Sequence, residues 1–84
     1  MTGNIEDSRS WEYYLMDLGT LLKEAAFEAR RVRDSSSGTD RDFLNGRLMG
    51  YYEVISLMLS QCGAFGLPAN AINLGGIDPD RDLV

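Results

Sequence analysis

The chain has no histidine anywhere in its 84 residues. That absence excludes Ser-His-Asp triads, Cys-His pairs and the usual zinc and di-iron constellations, all of which need imidazole. The single cysteine, Cys62, cannot form an internal disulfide, and the amino-terminal stretch lacks the charged-then-apolar form of a signal peptide. A reducing, cytoplasmic setting is the expectation. Positive charge is scarce as well. With 8 basic against 13 acidic residues and a net charge of -5, the chain is poorly suited to neutralising phosphates, so no nucleic-acid partner is expected. Long apolar runs are also missing. The richest stretch, Tyr51 to Phe65, is interrupted by Glu53, Ser56, Ser60 and Gln61, well short of the roughly 20 apolar residues of a membrane span. No membrane partner is expected either.

Little chemistry remains after these exclusions. Glu24 and Glu28 stand at helical spacing, but without imidazole or inward carboxylates opposite them they form a solvated face. Gly75-Gly76 is too short for a phosphate loop and no lysine follows it. Arg30, Arg31 and Arg33 are the one basic cluster; they suit the last turn of a helix, where cations complement the dipole. Catalytic, cofactor-binding and metal-ligating residues are therefore all assigned as none, and enzymatic activity is not expected.

What the chain does have is periodicity. Leu44, Leu48, Tyr51, Ile55, Met58, Cys62 and Phe65 are spaced alternately four and three apart, the seam of a helix that packs nearly parallel to its neighbours. Asp42, Gly46, Met49, Glu53, Ser56, Ser60 and Gly63 run down the opposite side, and only Met49 interrupts its polar character. Cys62 lies on the apolar ladder, which reads as a small buried hydrophobe rather than a nucleophile.

Upstream, a face centred on Leu18 gathers Trp11, Tyr14, Leu15, Leu21, Leu22, Ala25, Ala29 and Val32 within about 60° at 100° per residue. Ser8 or Ser10 would cap its start. The run Asp34-Ser35-Ser36-Ser37-Gly38 offers turn chemistry and no core residue. Thr39 with Asp42, or Asp40 alone, would cap the second helix. The spacing thus predicts an all-α antiparallel hairpin in a single domain: helix one at about 10-33, a loop at 34-39, helix two at about 40-63 and a carboxy-terminal segment at 64-84. Trp11, Tyr14, Leu15 and Leu18 would face Ile55, Met58, Leu59, Cys62 and Phe65, while Ala25, Ala29 and Val32 would face Phe43, Leu44 and Leu48. In the final segment Gly63 and Gly66 end helix two, Pro68 starts a short turn, and Asp78 either caps another turn or begins a loose tail; Leu74 and Ile77 are its docking residues.

Two helices do not cover this much apolar surface. From Phe43 to Phe65, 14 of 23 residues are apolar or aromatic, and each large side chain left wet forfeits about 1.5 to 3 kcal/mol. At this chain length oligomerisation commonly supplies missing burial. The expectation is a homodimer, a four-helix bundle with Leu48, Tyr51, Tyr52, Ile55, Leu57, Met58 and Leu59 at the dimer interface. Gly46 and Gly50 form a small-xxx-small pair on the flank of helix two, either for close helix approach or simply tolerated there. Tyr13, Met16 and Phe27 lie opposite Leu18. They are either scattered exposed apolar residues or a stripe for a partner protein.

The segments Gly46-Arg47-Leu48-Met49-Gly50-Tyr51-Tyr52-Glu53-Val54-Ile55, Ala64-Phe65-Gly66-Leu67 and Ile77-Asp78-Pro79-Asp80-Arg81-Asp82-Leu83 resemble small bacterial helical-hairpin proteins of unknown function. That resemblance covers Phe43 to Val84, about half the chain, and implies no activity. In size, acidity and hairpin form the chain is also similar to small helical immunity proteins that neutralise a co-produced toxin, a likeness of shape without a shared motif. The leading expectation is a non-enzymatic homodimer acting through protein-protein interaction, as an immunity, antitoxin-like or adaptor protein, with a basic protein as the partner suited to its charge. The alternative is a small-ligand carrier with an apolar pocket near Trp11, Tyr14, Met58 and Phe65.

Overall fold

A computed structural model describes the chain from Asn4 to Val84, with side chains from Arg9 onward. It is an antiparallel helical hairpin: α1 spans Asn4–Asp34, α2 spans Arg41–Ala64, a 3-10 turn follows at Ala69–Ile72 and a one-turn helix α3 at Pro79–Asp82. No strand occurs among the described residues. The molecule is long and thin, 56 × 24 × 16 Å.

Helix α1 starts well before the expected position near Ser10. No glycine or proline lies between Asn4 and Trp11, so nothing in the backbone forbids the extra turns, and Ser10 is an interior helical residue rather than a cap. The Ser8 side chain lies outside the described ones. At the start of α2, Asp40 occupies the cap position, yet its side chain makes no capping bond. Its backbone is already helical, with φ -81 and ψ -4, whereas a capping side chain reaches back to the free N–H groups from an extended residue. The turn is instead tied by backbone bonds, Ser35 N–H to the Arg31 carbonyl at 3.1 Å and Arg41 N–H to the Gly38 carbonyl at 3.3 Å.

The far end of α2 closes as a Schellman motif. Gly66 adopts φ 69, while Leu67 N–H donates to the Cys62 carbonyl at 2.8 Å and Gly66 N–H to the Gly63 carbonyl at 3.1 Å. Gly63, read as a second stop, is inside the helix. Asn73 repeats the device after the 3-10 turn with φ 58, a left-handed conformation that asparagine accepts more readily than most residues. Asp78 then caps α3, its carboxylate accepting from Asp80 N–H at 3.0 Å, with Pro79 at the first helical position.

The carboxy-terminal segment is docked, and it forms a third layer. Ile72, Leu74, Ile77 and Leu83 are buried together with Leu48, Ile55 and Cys62 of α2 and Ala26 and Ala29 of α1. The α2 contribution follows the expected ladder. The α1 contribution follows the expected face only at Ala29: Gly19 and Ala26, which are also buried, lie about 100° and 80° around the helix from Leu18. Trp11 and Tyr14 are 67% and 60% exposed, and Phe43 and Phe65, expected to face α1, are 72% and 74% exposed. The reason is the third layer. The segment crosses α1 so closely that a Cβ on Gly19 would overlap the Ile72 carbonyl oxygen, and only small residues permit that approach.

A paired substitution tests this packing. Gly19→Ala should destabilise the fold by about 1 to 3 kcal/mol through overpacking, although alanine favours a helix by about 1 kcal/mol. Gly46→Ala, with nothing within 4 Å of the added Cβ, should stabilise by up to about 1 kcal/mol. Urea titrations of the two variants should move in opposite directions.

Candidate interaction face

The third layer makes the two flanks of the hairpin unequal. On one flank the carboxy-terminal segment is fastened along α1 by polar groups. Asn73 Nδ2 donates to the Met16 carbonyl and to Thr20 Oγ1, both at 3.1 Å; Arg30 donates to the Asp82 carbonyl at 2.8 Å and Arg33 to the Val84 carbonyl at 3.1 Å. On α2, the Tyr52 hydroxyl donates to Asp80 Oδ1. The segment therefore runs from the open end of the hairpin back toward its turn.

These bonds also explain the ionisation of the segment. Arg81 binds both oxygens of Asp82 at 2.8 Å, and Asp78 N–H donates to Oδ2 at 2.9 Å; the arginine first and the backbone donor second hold the Asp82 carboxyl down at about 2. Tyr52 is pushed up from its usual value, chiefly by its hydrogen bond to Asp80 and then by that residue's negative charge.

The other flank has no such cover. Tyr14 and Leu21 of α1 and Phe43, Val54, Leu57 and Phe65 of α2 are all exposed there, as their position at 100° per residue on the side away from Gly19 and Tyr52 requires. Among the described residues, apolar hollows indent it at two places. The larger, about 300 Å³, lies near the open end and is walled by Leu15, Leu57, Met58, Gln61, Cys62, Phe65, Leu67 and Ile72. The smaller, about 260 Å³, is walled by Leu22, Arg47, Gly50, Tyr51 and Val54, with the Arg47 guanidinium 5.8 Å from the Tyr51 ring centre.

The residues expected at a dimer interface divide between these flanks. Leu48 and Ile55 are 2% and 0% exposed and serve the chain's own core. Tyr52 and Leu59 are half-buried and pack against that core, with Tyr52 bonded to the docked segment. Leu57, 64% exposed, stands at the wall of the larger hollow beside half-buried Met58, and Tyr51 is a half-buried wall of the smaller one. Of the expected partner stripe, Tyr13 and Phe27 are exposed at 60% and 41%, while Met16 is half-buried beside Asn73. Gly46 and Gly50 allow no helix contact within the chain, for neither has an atom within 4 Å of an added Cβ.

Sequence reading missed Phe43, Arg47, Gly50 and Gln61 as members of one surface, although their signal was present. Phe43, Arg47, Gly50, Val54, Leu57 and Gln61 repeat the four-three alternation of the core ladder one residue earlier, which places a second seam about 100° around the same helix. Asn73, Arg30 and Arg33 had no local signal, since their partners are more than fifty residues away.

Among the described residues no group of three or more His, Cys, Asp or Glu side chains is placed to hold a metal ion, and no helix is long and apolar enough to cross a membrane. No family model matches the chain, and no significant match is found among curated proteins or solved structures.

A carboxyl held low stabilises the fold above its unfolded value, and that contribution disappears as pH falls through the folded value. The α3 turn, whose Asp78 N–H and Arg81 both bind the Asp82 carboxylate, should therefore loosen between about pH 4 and pH 2 as Asp82 protonates. NMR of the Ile77 and Leu83 methyl groups should show this, and Asp82→Asn should flatten the dependence. An unchanged acid profile in that variant would mean that Asp82 does not govern the turn.

Proposed function

We propose that the chain works as a non-enzymatic homodimeric binding protein, two hairpins related by a twofold axis forming a four-helix bundle. The observation that carries this reading is the uncovered flank, where Tyr14, Leu21, Phe43, Val54, Leu57 and Phe65 stay exposed while the opposite flank is covered by the carboxy-terminal segment. Burying a Leu, Val or Phe side chain contributes about 1.5 to 3 kcal/mol, so a face of this size supports association even after the loss of translational and rotational freedom. A contiguous apolar face is also what marks an interaction surface on a small protein.

Once that flank is occupied, the outward surface belongs to the docked segment and the back of α1, including Tyr13 and Phe27. With a net charge of -5 per chain, this exterior favours basic proteins through steering and charge complementarity. The action we assign is therefore protein-protein interaction of the immunity, antitoxin or adaptor kind, in a cytoplasmic setting that suits the free, buried Cys62. A second reading rests on the larger hollow, whose apolar walls include Met58 and Phe65. At about 300 Å³ it is at the small end of ligand pockets, and saturable quenching of Trp11 fluorescence by an apolar probe would support a carrier role.

Light scattering on variants separates the flanks. Leu57→Glu should convert the dimer to a monomer with helix content unchanged, because Leu57 is 64% exposed in the single chain. Tyr52→Phe, on the sealed flank, should leave the mass as it was. An unchanged mass for Leu57→Glu would place the interface elsewhere.

A further inference from the structure

The geometry points to one specific way for a second copy of this chain to occupy the open flank, resting on the homodimer reading above. We propose an antiparallel pairing of the two α2 helices in which Val54 of each copy lies over Gly50 of the other and Phe43 of each enters the larger hollow of the other beside Gln61.

Three observations converge on this register. The first is spacing. The second seam of α2 runs Phe43, Arg47, Gly50, Val54, Leu57, Gln61, with gaps of four, three, four, three and four. Read backward, the series of gaps is the same, so the seam matches itself when reversed by a twofold axis near position 52. All six members then pair: Phe43 with Gln61, Arg47 with Leu57, and Gly50 with Val54. A slip of one heptad in either direction leaves Phe43 or Gln61 opposite positions outside α2, which ends at Arg41 and Ala64.

The second observation is relief. The hollows lie at Gly50 and around Met58 and Gln61, while Val54 and Phe43 project, the latter 72% exposed. Knob and hollow have the same separation: Phe43 to Val54 and Gln61 to Gly50 are each eleven residues, about 16 Å along a helix. Filling both hollows at once needs one axis, and it is the axis set by the spacing. Interdigitation of this kind is what packs helices closely.

The third is polarity. Arg47 and Gln61 are the polar members of the seam. Opposite Leu57, the Arg47 stem covers apolar surface while its guanidinium, already 5.8 Å from the Tyr51 ring centre, extends to the rim. Gly50 gains a role that it lacks in the single chain, where nothing approaches within 4 Å of its Cβ position.

Spin labels on the exposed face of α2 read the register directly. Gly46→Cys, Glu53→Cys and Ser60→Cys, each made in a Cys62→Ala background and first checked for mass, put one label per chain on the same side of the helix. The register gives axial separations of about 18, 3 and 24 Å at a rise of 1.5 Å per residue. The Glu53 pair should thus be the closest, and the Gly46 and Ser60 pairs longer and within about 6 Å of each other. A one-heptad slip lengthens one of those two axial separations and shortens the other by about 10 Å, and a parallel pairing makes all three distances alike. Either pattern in a dimeric protein overturns the register alone. Monomeric mass with no dipolar coupling overturns the homodimer as well.

Discussion

The close crossing of the Ile72 carbonyl over Gly19 constrains everything else in this structure. It requires a helix edge made of small residues, which Gly19, Ala26 and Ala29 provide. Because that edge receives the carboxy-terminal segment, Ile72, Leu74, Ile77 and Leu83 complete the core in place of the larger side chains of α1. Tyr14 and Leu21 are left exposed on the other flank, while Leu18, Leu22 and Val32 stay half-buried. One backbone contact thus determines both which residues make the fold and which remain available to a second molecule.

Charge reinforces the asymmetry. Arg30 and Arg33, at the end of α1, direct guanidinium donors at the carbonyls of Asp82 and Val84, while Arg31 pairs with Glu28 and Arg81 with Asp82. Much of the scarce positive charge is engaged in holding the third layer or in local pairs. These exposed pairs stabilise little by themselves, but they leave the carboxylates as the dominant free charge of the exterior. The open flank carries charge of its own, for Arg47 stands in its α2 seam and, after the hydrogen bond from Arg31 on α1, helps to hold the Glu28 carboxyl below its usual value.

Much of this was legible in the chain. Leu48, Ile55 and Cys62 are buried as the four-three ladder requires, the Ser-rich turn folds the helices back on each other, and Asp78-Pro79 caps the final turn. The orientation of α1 was not legible, for a physical reason: a periodic pattern weights large apolar residues, and here the intrachain core took small ones. Whether Trp11 and Tyr14 face the core or stay exposed depends on where Ile72 passes, an approach made across more than fifty residues of chain. Of the outward face, Val54 and Leu57 could be seen as surplus from periodicity alone. Gly50 and Phe43 stand on the same four-three series one residue ahead of the core ladder, a weak signal because a glycine and an arginine interrupt its apolar character.

Hydroxyl-radical footprinting of the unmodified protein across a range of concentrations asks whether a second copy covers the flank left open by the third layer. Phe43, Leu57 and Phe65 should be protected at high protein concentration and become reactive on dilution, while Tyr13 and Met49, exposed at 60% and 49% on other faces, react equally throughout. Phe43 and Leu57 reacting as freely as Met49 at every concentration would contradict a dimer built on that flank.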